Sequence, residues 1–416
     1  MGSDVFSPSF FFVRSEGVNS AAARPAACML YCTEFMTLNA TAHSAPRHLA
    51  TIGLLGFFLL GLIYPILGPS LPRLGEQFGL RASGVSWLLS ANSLGAFCGV
   101  ILAGLLAGWL SPQQRSLTAA AVVAAGCLGL AFAPSFALAL LAAAMLGVGF
   151  GMLDLTLNVW ISGSYGHCGA AMLNLLSASF GVGAVLAPLA VGLADGNFQL
   201  PLLACGALAF ALLLALLLLP TGTLPVAAAS PAPVSTRSSY PLLGGFILFF
   251  MAYVAVESGV GAWEVTHLQA TLGLATSTAA QLSALFWISF TVGRLISAPL
   301  ALRVPPARLV TAALLLAAGS LALASVPSLA VLAYALTGLF LAPVFTTGLV
   351  WMTRVLPGSQ APTLVFAGAF LGPVLAAPMI GTLRDTFGST AIPLSLLGIT
   401  ALALALLAGL RLKLRT

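Results

Sequence analysis

Long apolar runs separated by short polar interruptions fill most of this chain. A membrane-spanning helix needs about 20 apolar residues, and the region from residue 49 to residue 410 has room for a dozen such helices. The alternating pattern of an outer-membrane β-barrel is absent. The pattern predicts twelve spans, at residues 49–71, 84–110, 117–133, 135–162, 169–194, 199–219, 241–270, 276–301, 308–325, 328–353, 361–383 and 389–410.

The longest polar interruption, residues 220–240, divides the predicted spans six and six. It is rich in Pro, Ser and Ala, which suits a flexible linker. We therefore expect an N-terminal six-helix bundle at 49–219, a cytoplasmic linker, a C-terminal six-helix bundle at 241–410 and a basic tail at 411–416.

The first 48 residues differ from the rest, because no stretch in them is long and apolar enough to span a membrane. They also lack the basic segment, apolar core and cleavage site of a secretory signal. We expect residues 1–48 to be a disordered tail, or the native start to be Met36, with residues 1–35 an over-called extension.

The composition of the chain is that of a membrane protein. Of its 416 residues 60% are hydrophobic and 6% charged, whereas soluble domains carry about 25% charged residues. The fold class predicted is an all-α polytopic membrane protein. Lys413 is the only lysine, which excludes a P-loop, and no Cys/His group has metal-site spacing, so no cofactor or metal is expected.

Arginine placement predicts the orientation, because cytoplasmic loops carry an excess of Arg and Lys. With both termini in the cytoplasm, nine basic residues fall inside and three outside. Those inside are Arg47, Arg115, Arg237, Arg303, Arg308, Arg354, Arg411, Lys413 and Arg415, and those outside are Arg73, Arg81 and Arg384. We expect a monomeric cell-membrane protein whose partners are the lipid bilayer and a small-molecule substrate. The net charge of +6 then requires no nucleic acid.

The two halves also resemble each other in sequence. Residues 180–195 and 370–385 share a Phe, an Ala-Pro pair and an Asp at an offset of 190. This match indicates a duplicated six-helix unit. Parallel repeats of that kind are related by an axis along the membrane normal.

A few ionisable residues fall inside the predicted spans, where a charge costs about 2.5–3.5 kcal/mol on insertion scales. Asp154 and Asn158 are spaced four apart, so they share one helix face. Glycines at 147, 149 and 151 would let other helices approach closely. Asp154 is either a titratable coupling carboxylate or a structural hydrogen-bonding group, and the first reading is favoured.

Two more acids lie in the predicted seventh span. Glu257 is near its middle and Glu264 is two turns further along the same face. Gly259 and Gly261 between them would let the helix bend or unwind. Glu257 is favoured as a coupling residue, whereas Glu264 contacts substrate or simply reaches water at the interface.

Other polar residues in the spans are candidates for binding or gating. Arg294, which follows Gly293, can snorkel to the cytoplasmic side and act as a latch. The uncharged groups bind substrate hydroxyls or neighbouring helices. The candidates for substrate contact are Asn158, Asn174, Asn92, Gln281, Trp263 and Glu264, and those for gating or structure are Arg294, Gly293 and Arg115.

Several of these segments carry a family resemblance. Over residues 45–416 the chain resembles the major facilitator superfamily, and within it the fucose permease-like branch of sugar symporters, including sodium-dependent glucose transporter-like members. The segments that carry it are Gly149-Phe-Gly-x-x-Asp154-x-x-x-Asn158-Val-Trp, Leu173-Asn174 with Phe180-Gly-Val-Gly183 and Pro188, Tyr253-Val-x-Val-Glu257-x-x-x-Gly261-x-Trp263, and Gly338-Leu-Phe-x-Ala-Pro343-Val-Phe.

The resemblance implies that Asp154 is an ion-coupling site and that Glu257 and Asn174 lie near a central cavity. Two departures stand out. The fucose permease has an aspartate in its first span, whereas residues 52–71 here contain no acid. The Gly…Asp…Gly-Arg signature of the second loop is reduced to Gly104…Gly108…Arg115, which changes the usual inner latch.

These observations predict a secondary transporter that works by alternating access. It would move a small polar solute, with a monosaccharide as the favoured candidate and a proton or sodium ion as the coupling ion. A proton-coupled exporter of drugs or metabolites is the alternative. An intramembrane enzyme is a distant third, because neither a paired-aspartate motif nor a Ser/His motif is present, so we expect no enzyme.

Overall fold

The computed structural model describes residues 45–165, 169–219, 240–301, 303–356 and 361–414. Twelve helical segments in these ranges are long and apolar enough to cross a membrane. The prediction of an all-α protein with twelve spans is confirmed. Residues 1–44 of the predicted tail lie outside the described residues. So do residues 220–239 of the predicted linker.

The spans are numbered 1 to 12 in chain order. In the N-terminal half they are Ala45–Phe78, Ala82–Val85 with Trp87–Leu105, Pro112–Ala131, Phe136–Ser164, Gly169–Leu193 and Gln199–Leu217. In the C-terminal half they are Tyr240–Leu272, Thr276–Ala301, Pro306–Leu323, Ala330–Val355, Ala361–Ala369 with Leu371–Phe387, and Ala391–Lys413. Short 3₁₀ turns at Leu106–Gly108 and Pro327–Leu329 follow span 2 and precede span 10.

Several helices are longer than their apolar runs, because polar residues cap and extend their ends. Span 3 begins at Pro112, where the Ser111 hydroxyl accepts from the Gln114 N–H at 3.2 Å and the Gln114 side chain accepts from the Ser111 N–H at 2.9 Å. This capping box places Arg115 in the first helical turn, not in the loop where the sequence put it. Arg384 likewise lies in the last turn of span 11.

Span 7 departs from expectation, since it is one continuous helix from Tyr240 to Leu272. Its glycines serve packing instead of unwinding. Gly259 makes room for Leu396 of span 12, and Gly261 for the ring of Trp287 in span 8. Because side chains of neighbouring helices occupy the space beside both glycines, close packing accounts for the glycines without any unwinding of the helix.

The two halves repeat one packing pattern. Span 2 packs on span 4, span 3 on spans 4 and 6, and span 1 on span 5. In the same way span 8 packs on span 10, span 9 on spans 10 and 12, and span 7 on span 11. The correspondence agrees with a duplicated six-helix unit.

The halves meet along spans 1 and 7, 2 and 11, and 5 and 8. We call the end of the bundle that carries Phe78 and Phe387 the closed end; it is the outer end in the predicted orientation. There the Asp385 carboxylate accepts a hydrogen bond from the Ser83 backbone N–H at 2.8 Å. Deeper in the interface, the Ser90 hydroxyl donates to a span 11 carbonyl at 2.9 Å. These cross-half bonds hold this end together.

Candidate functional site

Asp154 is a buried carboxylate in span 4, with 9% of the residue exposed. The Asn158 amide, one turn later, donates to Asp154 Oδ1 at 2.8 Å and to the Asp154 carbonyl oxygen at 3.0 Å. Four-residue spacing on a helix predicts this contact, and the prediction is confirmed. Asn158 therefore fixes the orientation of the carboxylate.

Glycines hold span 4 tightly against two neighbours. Any side chain at Gly147 or Gly151 would collide with backbone carbonyl oxygens of span 2. Gly149 faces the other way and packs against Val123 of span 3. Close backbone approach through small residues is how membrane helices pack, so the helix that presents Asp154 has little freedom to shift.

Glu257 is the matching acid of the C-terminal half, with 7% of the residue exposed. It lies in electrostatic range of Tyr253 and of Arg294. The Tyr253 hydroxyl also donates to the Leu341 carbonyl of span 10 at 3.2 Å. The Arg294 guanidinium sits over the Phe290 ring, 4.6 Å from its centre, which is a cation–π contact.

Tyr64 of span 1 links the two acids. It lies in electrostatic range of Asp154 from its own half, and of Glu257 and Arg294 from the other half. One tyrosine at the interface is therefore within electrostatic range of a buried carboxylate from each half, and neither Asp154 nor Glu257 lines the cavity between the halves.

Aromatic rings surround this tyrosine. The Tyr64 ring centre lies 5.9 Å from Phe150, 5.8 Å from Phe180 and 5.7 Å from Trp287. Phe150 in turn lies 6.1 Å from Phe370 of span 11. We call these five residues the aromatic cluster; it crosses from one half to the other.

A cavity of about 50 Å³ lies beside the cluster, between spans 1, 2, 7, 8 and 11. Tyr64, Asn92, Ser258 and Trp263 are among the residues that line it. Ligand pockets for small molecules have volumes of about 300–1,000 Å³. The cavity is therefore constricted in this arrangement, as the cross-half bonds at the closed end require.

The predicted substrate residues do not all meet at this cavity. Asn92 lines it while donating to the Ala143 carbonyl of span 4 at 3.2 Å. Trp263 lines it with a buried indole N–H that has no partner among the described residues. Asn174 is exposed in span 5, and Gln281 is exposed where span 8 meets Gly192 of span 5.

Glu264 lies away from the cavity. Only 1% of the residue is exposed, so the expectation that it reaches water at the interface is not met. The span 7 residues that line the cavity, among them Ala255, Ser258 and Ala262, occupy the opposite side of the helix. Packing against neighbouring helices sets which side of span 7 faces the cavity. Glu264 lies on the other side and points into the C-terminal half.

The residues expected to gate are packed against backbone. The Arg115 guanidinium is buried and donates to the Ala103 carbonyl at the end of span 2 at 3.0 Å. Gly293 packs on Leu339 and Ala342 of span 10, which sets the position of Arg294. Arg115 thus ties spans 2 and 3 together despite the reduced loop signature.

Sequence reasoning did not select the phenylalanines of the aromatic cluster or the tyrosines beside the acids. The matched segments at an offset of 190 contain Phe180 and Phe370, and both lie in the cluster. The repeat was therefore the signal that could have found them.

Twelve spans in two repeated halves, each with buried acids inside its membrane-spanning helices, define a membrane transport protein. The chain belongs to the Major Facilitator Superfamily, whose family model matches residues 53–364, well over half of its length. It is an integral membrane protein and a transporter, not an enzyme.

Several relatives of this chain are named sodium-dependent glucose transporters. The sodium-dependent glucose transporter 1 of Homo sapiens is 25% identical over 382 residues, which cover 80% of this chain and 72% of that protein. The sodium-dependent glucose transporter 1A of Mus musculus is 32% identical over 143 residues, covering 34% of this chain and 33% of that protein. The latter match thus spans only about a third of the relative's length.

Solved structures share the fold. The D-xylose-proton symporter superposes with a TM-score of 0.73 at 13% identity, covering 88% of this chain and 97% of that one. The nucleoside transporter NupG gives 0.72 at 16% identity, covering 90% and 100%. FucP in the outward conformation gives 0.62 at 18% identity, covering 87% and 98%. At these identities the likeness shows the fold alone.

Proposed function

We propose that this transporter moves a small hydroxylated solute by alternating access coupled to a proton or sodium gradient. A monosaccharide is the favoured substrate. The observation that carries the proposal is that each half buries a carboxylate within a membrane-spanning helix, Asp154 in span 4 and Glu257 in span 7, and that Tyr64 at the interface lies in electrostatic range of both. Ionisable groups inside a membrane are functional by default, since placing them there costs free energy. The similarity to proteins named sodium-dependent glucose transporters supports the substrate class.

The mechanism follows from where the acids lie. When the halves close around the site, loss of water favours the neutral, protonated form of a carboxyl group. When one end opens, water returns and the carboxylate releases its proton, or a sodium ion if it binds one. Asn158 orients Asp154 for this exchange, and Tyr253 lies in electrostatic range of Glu257.

Substrate recognition rests on the constricted cavity and the aromatic cluster. Asn92, Ser258 and Trp263 offer amide, hydroxyl and indole groups to sugar hydroxyls. The rings of Tyr64 and Trp287 offer apolar faces to the ring of a sugar. Opening at the end opposite the closed end would widen this cavity to admit the solute.

Uptake into proteoliposomes tests the proposal. A panel of radiolabelled hexoses and pentoses is offered under an imposed proton gradient and, separately, a sodium gradient. We expect accumulation of at least one sugar with one ion, abolished by collapsing that gradient. No accumulation of any sugar under either gradient would contradict it.

A proton-coupled exporter is the second candidate, because a cavity lined by Tyr64, Trp263 and Trp287 also suits an amphipathic cation. The same vesicles distinguish the two functions. Proton-driven movement of a cationic dye without any sugar accumulation would favour the exporter.

We further propose that the protein acts as a monomer in the cell membrane. We also propose that both termini lie in the cytoplasm, in agreement with its arginine distribution.

A further inference from the structure

Buried polar side chains, with Glu257 among them, form a stripe along one side of span 7. Tyr253, Glu257, Glu264 and His267 fall within about 80° of arc on one side of the helix, given 3.6 residues per turn. This side faces span 10, since Tyr253 bonds to its Leu341 carbonyl and His267 Nδ1 lies 3.0 Å from the Tyr334 hydroxyl. The cavity lies on the other side of span 7.

Glu264 is the unusual member of this stripe. Among the described residues neither of its carboxylate oxygens has a hydrogen-bond partner, and no Arg or Lys forms an ion pair with it. An isolated carboxylate in an apolar interior costs far more free energy than a neutral acid, so such a group takes up a proton or a cation.

The neighbours of Glu264 are suited to handling a proton. Tyr334 of span 10 lies in electrostatic range of Glu264. Its hydroxyl bonds to His267, and the two residues are 0% and 1% exposed. Imidazole and phenol groups both donate and accept hydrogen bonds, so the hydrogen-bonded Tyr334–His267 pair offers a buried polar group in electrostatic range of Glu264 on the side of the closed end.

We propose that Glu264, with His267 and Tyr334, forms a second proton-binding site inside the C-terminal half, separate from the cavity between the halves. One proton converts the carboxylate to a neutral acid, and no other bond changes. Glu264 lies about 10 Å along the helix axis from Glu257, at 1.5 Å per residue. The site therefore holds its proton apart from the solute. Its role in coupling rests on the proposed ion-driven transport, but its protonation does not.

Infrared spectroscopy of the purified full-length protein in lipid, in H₂O and D₂O, tests the site without any solute. The variants are E264Q and, as a matched control, E76Q, which makes the same change at a glutamate whose side chain is 66% exposed. At neutral pH we expect wild type and E76Q to show an isotope-sensitive carboxylic-acid band that E264Q loses. An E264Q spectrum identical to wild type would overturn the proposal.

Two further measurements keep the outcome decisive. Loss of the wild-type band on replacing potassium with sodium would make Glu264 a sodium site and overturn the proton assignment. If E264Q does not fold, Y334F removes only a hydroxyl beside Glu264. A shift of the band in Y334F supports the site, and an unchanged band contradicts it. Because no sugar enters these measurements, they can fail or succeed independently of the uptake assay.

Discussion

Asp154 in the N-terminal half accepts a hydrogen bond from Asn158, whereas Glu264 in the C-terminal half has no hydrogen bond to either carboxylate oxygen among the described residues. The two acids also face different surroundings. Asp154 lies in electrostatic range of Tyr64 at the interface, and Glu264 faces Tyr334 within its own half. Two halves with one packing pattern therefore hold their buried charge in two ways.

Spans 1 and 7, which correspond in the repeat, show the same asymmetry. They approach each other closely at Gly68, where a side chain would collide with the Gly261 backbone. Span 7 carries two buried acids, whereas the membrane part of span 1 carries none and contributes Tyr64. The duplicated fold thus leaves the ion chemistry of the N-terminal half to span 4.

The largest effect is expected from neutralising the acids at the interface. D154N and E257Q keep the shape of each side chain but remove its exchangeable proton. We expect both to lose gradient-driven accumulation, with the inside-to-outside ratio falling to about one, while sugar exchange across the membrane persists. Uptake and counterflow in proteoliposomes measure the two activities. Full accumulation by either variant would remove that residue from the coupling role.

An intermediate effect is expected at the closed end. Asp385 bonds the Ser83 N–H across the halves and pairs with Arg384 at 3.0 Å. Its repeat counterpart, Asp195, is exposed. D385N keeps an oxygen acceptor for the Ser83 N–H but removes the charge. Because a hydrogen bond to a charged group contributes about 1.5–3 kcal/mol and a neutral one about 0.5–1.5 kcal/mol, D385N should shift the balance towards opening at this end by about tenfold. D195N should leave the balance unchanged.

Labelling of a cysteine introduced at Ser93, a residue that lines the cavity, measures that shift. The native cysteines are replaced by serine, and an impermeant thiol reagent is added from the side of the closed end. Faster labelling in D385N than in D195N is the expected result. Equal rates would mean that the charge of Asp385 does not help to hold the halves together.

What the sequence could predict depended on how local the determining contacts are. The twelve spans follow from apolar length, and the Asp154–Asn158 bond follows from four-residue spacing on one helix. The side of span 7 that meets span 10 depends on packing between distant segments, so the orientation of Glu264 was not predictable. The bond between Ser83 and Asp385 joins residues 302 positions apart.

Arg115 shows the same limit at a helix end. The apolar run that predicted span 3 begins after this residue, so arginine counting placed it in a loop. Its helical position depends on the capping box one residue before span 3 and on the Ala103 carbonyl that it reaches. A charged residue in the first turn is invisible to a hydropathy pattern, because the pattern detects only the part of a helix that lipid must cover.

The smallest effect is expected from removing the support of Asp154 while leaving the acid itself. N158A deletes the amide that donates to Asp154 Oδ1 at 2.8 Å. Since a hydrogen bond contributes about 0.5–1.5 kcal/mol net, we expect the initial rate of gradient-driven uptake to fall by about two- to tenfold, with accumulation still present. S162A removes a hydroxyl bond to the Val159 carbonyl in the same helix and should leave the rate unchanged. If N158A were as uncoupled as D154N, Asn158 would itself take part in ion binding. The ion site of span 4 would then consist of Asp154 and Asn158 together, whereas Glu264 in span 7 has no such partner among the described residues.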